Sequence, residues 1–216
     1  MNVRKVFGQE QKPCFEMQGG DKLTASEVLG LDRVVPLLTV YFLVMMGFNF
    51  FYIAFPVYAS EGLLWSVRDV GVYFSVLSFS MVVVQGPILT RASKRFGDVT
   101  LAIVGSLILA ASFVFFVSDQ TDLLYLGAVL LALGNGLMWP SVVSMLSKAA
   151  GEKHQGAIQG LASSFGALAS IVGLLAGGAL YANLGAWVFL VSSASILSVF
   201  CITLWLAWLG PSVVAK

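Results

Sequence analysis

The stretch Gln85-Gly86-Pro87-Ile88-Leu89-Thr90-Arg91-Ala92-Ser93-Lys94-Arg95-Phe96-Gly97-Asp98 decides how the rest of the chain is read. It is a short basic passage set between two apolar stretches, Val70–Leu89 and Val99–Ser118. Gly86-Pro87 is expected to end or kink a helix, because proline has no N–H to donate and its ring clashes with the preceding turn. Gly97 permits a sharp return of the chain. Arg91, Lys94 and Arg95 suit the lipid–water boundary, where anionic headgroups and the carbonyl end of a helix both attract cations.

Working outward from this loop, six apolar stretches appear: 34–58, 70–89, 99–118, 122–147, 157–181 and 185–209. A hydrocarbon core of ~30 Å takes about 20 helical residues to cross, and each stretch is at least that long. Helices satisfy their own backbone hydrogen bonds in lipid, and none of these stretches has the strict alternation of a membrane β-strand. The composition agrees. Of 216 residues, 58% are hydrophobic and 11% charged, where an ordinary soluble domain is about 25% charged. A sizeable soluble domain, a nucleic-acid-binding domain, a disordered chain and a disulfide-stapled secreted fold are excluded.

The basic residues orient the spans. Eleven of the twelve Lys and Arg fall on one side: Arg4, Lys5, Lys12, Lys22, Arg33, Arg91, Lys94, Arg95, Lys148, Lys153 and Lys216. Arg68 alone falls on the other. That bias places both termini in the cytoplasm. None of the basic residues lies within a span, and the eleven acids occupy tails, loops and span ends, with Asp122 at a mouth.

Residues 1–33 form a cytoplasmic tail with five charges of each sign and no apolar run that would make a signal peptide. Thr24-Ala25-Ser26-Glu27 fits a capping box, so the tail holds either a short surface helix or a tether. Residues 210–216 form a second cytoplasmic tail. Cys14 and Cys201 lie too far apart in this layout to pair, and His154 beside Glu152 has no set of metal ligands around it. Neither a metal nor a cofactor is expected.

The loop at 85–98 resembles the cytoplasmic signature loop of the major facilitator superfamily, in the form found in the C-terminal half. There a Gly-Pro-apolar-apolar run leads to Arg, a basic pair, an aromatic and Gly. The Asp that the N-terminal-half version carries near Thr90 or Arg91 is absent here. Further blocks are similar to the last three helices of multidrug and tetracycline-efflux-like members. They are Gly134-Asn135-Gly136-Leu137-Met138-Trp139-Pro140, Gln155-Gly156-Ala157-Ile158-Gln159-Gly160 and Gly173-Leu174-Leu175-Ala176-Gly177-Gly178-Ala179-Leu180-Tyr181 followed by Gly185. Leu174 stands where those antiporters usually carry Pro. The resemblance covers about residues 25 to 210. It implies an all-α membrane protein, a six-helix bundle over 34–209 that forms one half of a twelve-helix transporter.

Polar groups in hydrocarbon are costly unless they face protein, water or a substrate. At helical spacing, Tyr41, Met45, Asn49 and Tyr52 share a face of the first span, and Ser75, Ser78 and Gln85 a stripe of the second. Asn135 and Trp139 lie one turn apart in the fourth, while the fifth aligns Gln159, Ser163, Gly166, Ser170, Gly173 and Gly177. In the superfamily the first, second, fourth and fifth helices of a half line the cavity, so these polar residues become candidate pathway groups. Asn49 and Asn135 serve either a pathway or interhelical hydrogen bonds. Trp139 beside Pro140 either lines the pathway or packs around a kink, and Gln85 and Gln159 either line it or meet headgroups. Gly166, Gly173, Gly177 and Gly178 read as helix-packing positions, Gly173 and Gly177 having the small-xxx-small spacing.

The resemblance implies alternating-access transport, of efflux type, and the Asn, Ser, Tyr, Trp and Met groups of the spans suit a small amphiphilic or neutral solute. Its partners would be membrane lipid and a second six-helix bundle: a missing N-terminal half, a separate subunit or a second copy. A bacterial inner membrane is the expected location. Because no Asp, Glu, His, Lys or Arg lies in the interior of the spans, a coupling carboxylate is expected outside this chain. A non-transport scaffold or accessory subunit is the alternative. An enzyme is not expected, since the serines of the spans have no basic or acidic partner there.

Overall fold

The computed structural model describes residues 28–31, 33–151 and 154–209. Residues 1–27, with Cys14 and the capping box at Thr24, lie outside the described residues, as do residues 32, 152–153 and 210–216. Among the described residues there are helices and no strands. Five unbroken helical runs are long and apolar enough to cross a membrane: Val34–Gly62, Val67–Ala92, Asp98–Phe115, Thr121–Ala150 and Gln155–Trp208. The first four are named α1 to α4 here.

The last run has 54 residues, which at 1.5 Å per residue is far longer than one crossing. It divides at Gly185, whose φ of 57° is a conformation that residues with a Cβ rarely adopt. One 3-10 turn, Gly185–Trp187, then separates α5 (Gln155–Leu184) from α6 (Val188–Trp208).

Local chemistry sets the other ends. A reciprocal capping box starts α2: Ser66 N–H donates to Asp69 Oδ2 at 2.9 Å, and Asp69 N–H to Ser66 Oγ at 3.3 Å. Asp98 stands in the first turn of α3, where a carboxylate complements the helix dipole. Gly151, with φ 68°, terminates α4.

The structure narrows two expectations about the basic loop. Gly86-Pro87 does not end α2. The helix absorbs the proline in a π turn, Val84–Ile88, and continues to Ala92. A second π turn, Tyr58–Gly62, lies two residues beyond Pro56 at the end of α1. In both places the wider turn accommodates a residue that cannot donate to the ladder. Gly97 does not supply a special turn either. It caps α3 with φ −72° and ψ 160°, extended backbone open to any residue.

The most extensive pairings are α3 with α4, α1 with α5, α3 with α6 and α1 with α6; α2 packs chiefly on α4. The core is strongly aromatic. Phe51 and Phe55 of α1 meet Phe116 after α3 and Phe189 of α6, and Phe55 stacks on Tyr73 of α2 at 4.3 Å. Offset and edge-on ring pairs of this kind add about 0.5–1.5 kcal/mol each beyond the area they bury. Tyr73 is fully buried and its hydroxyl donates to the Leu124 carbonyl.

Candidate substrate pathway

The seam between α1, α4 and α5 brings several of the expected residues together. Tyr41 and Trp139 are in ring contact, with centroids 4.8 Å apart and planes tilted by 49°. One turn along α1 is Met45, and beyond it Asn49, whose amide donates to the Met45 carbonyl at 2.7 Å and to Ser170 Oγ of α5 at 3.2 Å. Tyr52 is exposed and stacks on Phe74 of α2, with ring centroids 6.4 Å apart. Asn135 is half-buried in α4, and among the described residues its amide has no hydrogen-bond partner.

Small residues let α5 reach α1. A Cβ on Gly166 would stand 2.9 Å from Tyr41, one on Gly173 2.8 Å from the Asn49 Cβ, and one on Gly177 2.7 Å from Ile53. The Asn49–Ser170 bond is made across this close approach. Gly178 is different: it faces open space, so nothing packs where its side chain would be.

The remaining candidates lie apart. Gln159 is half-buried near the start of α5 and donates to Ser147 Oγ of α4 at 2.9 Å, tying two helix ends together. Ser78, Gln85 and Ser163 are exposed. Gln85 borders the place where Val84, in the π turn, fills the notch above Gly136. Pro140 lies inside α4, which runs unbroken from Thr121 to Ala150. In the basic loop, Arg91 donates to the Pro87 carbonyl at 3.2 Å, so its charge meets the carbonyl end of α2. Gly86, Lys94, Arg95 and Gly97 are exposed.

Ser147, Phe74 and the π-turn Val84 were not singled out from sequence. Ser147 carried a usable signal: it and Gln159 are the polar residues nearest the facing ends of consecutive spans. Ring contacts such as Tyr52–Phe74 carry none, since every face of α2 is apolar somewhere.

Chemically the seam offers rings, thioether and amides, with no charged side chain among Tyr41, Met45, Asn49, Tyr52, Asn135, Trp139 and Ser170. Such a surface recognises a ligand by shape, stacking and a few hydrogen bonds.

Apolar helices of this length and number define an integral, multi-pass membrane protein in contact with lipid. The chain belongs to the Major Facilitator Superfamily, whose family model matches residues 37–216. It is 26% identical over 153 residues to the tetracycline resistance protein, class C, of Escherichia coli, covering 71% of this chain and 39% of that protein. It is 27% identical over 132 residues to the tetracycline resistance protein, class G, of Vibrio anguillarum, covering 61% of this chain and 34% of that one. The chain thus spans well under half the length of these curated relatives.

Proposed function

We propose that the chain is one six-helix half of a secondary transporter that exports a small amphiphilic or neutral solute by alternating access. In this reading α5 and α6 are separate crossings, both termini are cytoplasmic, and the location is a bacterial inner membrane. The observation that carries it is the uncharged polar seam between α1, α4 and α5, lined by Tyr41, Trp139, Asn49 and Asn135. Polar groups in lipid are retained where they face protein, water or a solute, and Asn135 has no protein partner among the described residues. Membership of the superfamily and the resistance named in both relatives support export over a scaffold or enzymatic role.

Alternating access rocks one bundle against another around a site near the midplane. This chain supplies one bundle; the second supplies the facing wall and, with it, any carboxylate that couples transport to protons. The glycines between α1 and α5 allow those helices to move as one packed unit. The π turn at Val84–Ile88 gives α2 a place to adjust.

The test is accumulation of a weakly basic fluorescent amphiphile in inside-out membrane vesicles that contain the chain together with its second bundle. Accumulation that falls at least tenfold on Asn135→Leu, with the protein still folded, is the expected result. A variant as active as the wild type overturns the role of the seam.

A further inference from the structure

A second feature lies away from the seam, at one end of the bundle. A crevice there is lined by Arg33, Leu37, Val99, Met145, Lys148, Ala149 and Leu206. These residues come from four helix ends. Arg33 directly precedes α1, Val99 is the second residue of α3, Met145 to Ala149 are in the last turns of α4, and Leu206 is in the last turn of α6. The crevice therefore opens where hydrocarbon gives way to water. Its walls are almost wholly apolar, and two cationic side chains border it.

Lys148 is held in place. Lys148 donates to Asp98 Oδ2 at 2.8 Å, and Ser144 Oγ donates to the same oxygen at 2.6 Å. The Lys148 side chain is still 49% exposed, and an ammonium has three donors, so the bond to Asp98 leaves others for a ligand. Arg33 has φ 62°, a left-handed conformation that costs a residue with a Cβ of order 1–3 kcal/mol. Arg33 is one of the residues that line the crevice.

We propose that this crevice binds an acidic phospholipid. The headgroup phosphate lies across Arg33 and Lys148, and the glycerol end of an acyl chain rests against Leu37, Val99, Met145 and Leu206. The enclosed space, about 30 Å³, is far below the several hundred Å³ of a pocket for a drug-sized ligand. A lipid needs no such pocket, because it lies along the helices and inserts only part of itself. Long basic side chains whose stems cover apolar surface while their charged ends reach the headgroup level have the amphipathic character of this ligand. Lys94 and Arg95, exposed in the loop that leads into α3, add positive charge near the same end. The site depends on the chain being embedded in a membrane and not on what it transports.

The experiment is native mass spectrometry of the purified full chain in micelles containing equal amounts of phosphatidylglycerol and phosphatidylcholine. Wild type should retain phosphatidylglycerol in preference. Arg33→Gln and Lys148→Gln should each lower that retention about fivefold, the factor that one basic residue near a membrane surface contributes. Ala149→Leu, which fills the crevice and leaves every charge in place, should lower it as well. Equal retention of the two lipids by wild type overturns the proposal. So does undiminished phosphatidylglycerol retention by Ala149→Leu, which would reduce the effect to surface charge. Displacement by glycerol 3-phosphate at the concentration of the lipid would make it a free-anion site and overturn it too. If Lys148→Gln fails to fold without its contact to Asp98, Arg33→Gln and Ala149→Leu decide the outcome. No transport is measured, so this result and that of the vesicle assay fail independently.

Discussion

Gly105 of α3 and Gly134 of α4 are in backbone contact. A Cβ on Gly105 would lie 2.7 Å from the Gly134 carbonyl oxygen, and one on Gly134 would lie 2.8 Å from that of Gly105 and 2.5 Å from the Leu109 nitrogen. The obstructing atoms are backbone, so no rotamer change relieves the collision. Gly134→Ala should therefore push the two helices apart and destabilise the bundle by about 1–3 kcal/mol, the usual cost of overpacking. Gly178→Ala is the control, since that position faces open space and alanine favours the helix by up to about 1 kcal/mol. Thermal unfolding in detergent should show a lower midpoint for the first variant and an equal or higher one for the second. Equal midpoints for Gly134→Ala and wild type would show that the α3–α4 contact yields easily.

This contact marks the limit of what was legible in the sequence. That the chain is helical and crosses a membrane follows from composition and span length, because lipid leaves an exposed backbone no other economical choice. Which face of each helix turns inward does not follow. In α3 both faces are apolar, so periodicity carries no information, and nothing distinguishes Gly105 from a lipid-facing glycine. The serines show the same limit. Ser193 of α6 is buried and donates to the Ala110 carbonyl of α3 at 2.8 Å, whereas Ser198 is exposed and bonds only within its own helix. The π turns were hidden for another reason. Pro56 and Pro87 announce a disturbance of the helix, but whether a helix breaks or widens depends on what packs beside it. In the seam between α1 and α5, helical spacing marks a polar face on the first and a face of serine and glycine on the second, but that these two faces meet is visible only in the packed helices.

Asn49 and Asn135 should behave differently when replaced by leucine. Asn49 donates to Ser170 across the α1–α5 seam, and such bonds in membranes are worth about 0.6–2 kcal/mol. Asn49→Leu should thus lower stability and transport together. Asn135 has no hydrogen-bond partner among the described residues, so Asn135→Leu should leave the unfolding midpoint within a few degrees of wild type while transport falls. Unfolding and vesicle accumulation measured on the same preparations separate the two effects. A large loss of stability in Asn135→Leu would make that residue a packing element and return the scaffold reading.

Charge placement leads to a prediction about coupling. In the described helices the charged residues sit at the ends: Glu61 in the last turn of α1, Arg68 and Asp69 in the first turn of α2, Asp98 and Asp122 at the starts of α3 and α4, and Arg91 and Lys148 at helix ends. A proton-coupled carrier needs a group that titrates along the pathway. The chain reconstituted alone in liposomes with an enclosed pH dye should therefore show no lumenal pH change when a substrate gradient is imposed. A pH change that follows the gradient would place the coupling group in this chain.

The face that meets a second bundle should be the one where α2 and α5 lie open. In α2 only Tyr73, Leu77 and Val84 are buried, leaving Phe79, Val82 and Ser78 exposed. In α5 the exposed set includes Leu168, Ile171, Leu175 and Ser163. Apolar exposure alone does not separate a partner from lipid, for α6 also exposes Leu204, Trp205 and Trp208. The distinguishing feature is polarity near the apolar groups. Ser78 and Gln85 on α2 and Ser163 on α5 are exposed with no hydrogen-bond partner among the described residues, which is unfavourable against acyl chains and acceptable against protein or water. Single cysteines should be placed at Ser78, Ser163 and Leu204 in a background carrying Cys14→Ser and Cys201→Ser, then labelled in membranes with a thiol-reactive benzophenone and photolysed. Adducts between two bundles should form at Ser78 and Ser163 and be at least several-fold weaker at Leu204. Equal yields at all three positions would remove the assignment of this face, and transport by a population that is monomeric by every crosslink would remove the second bundle itself.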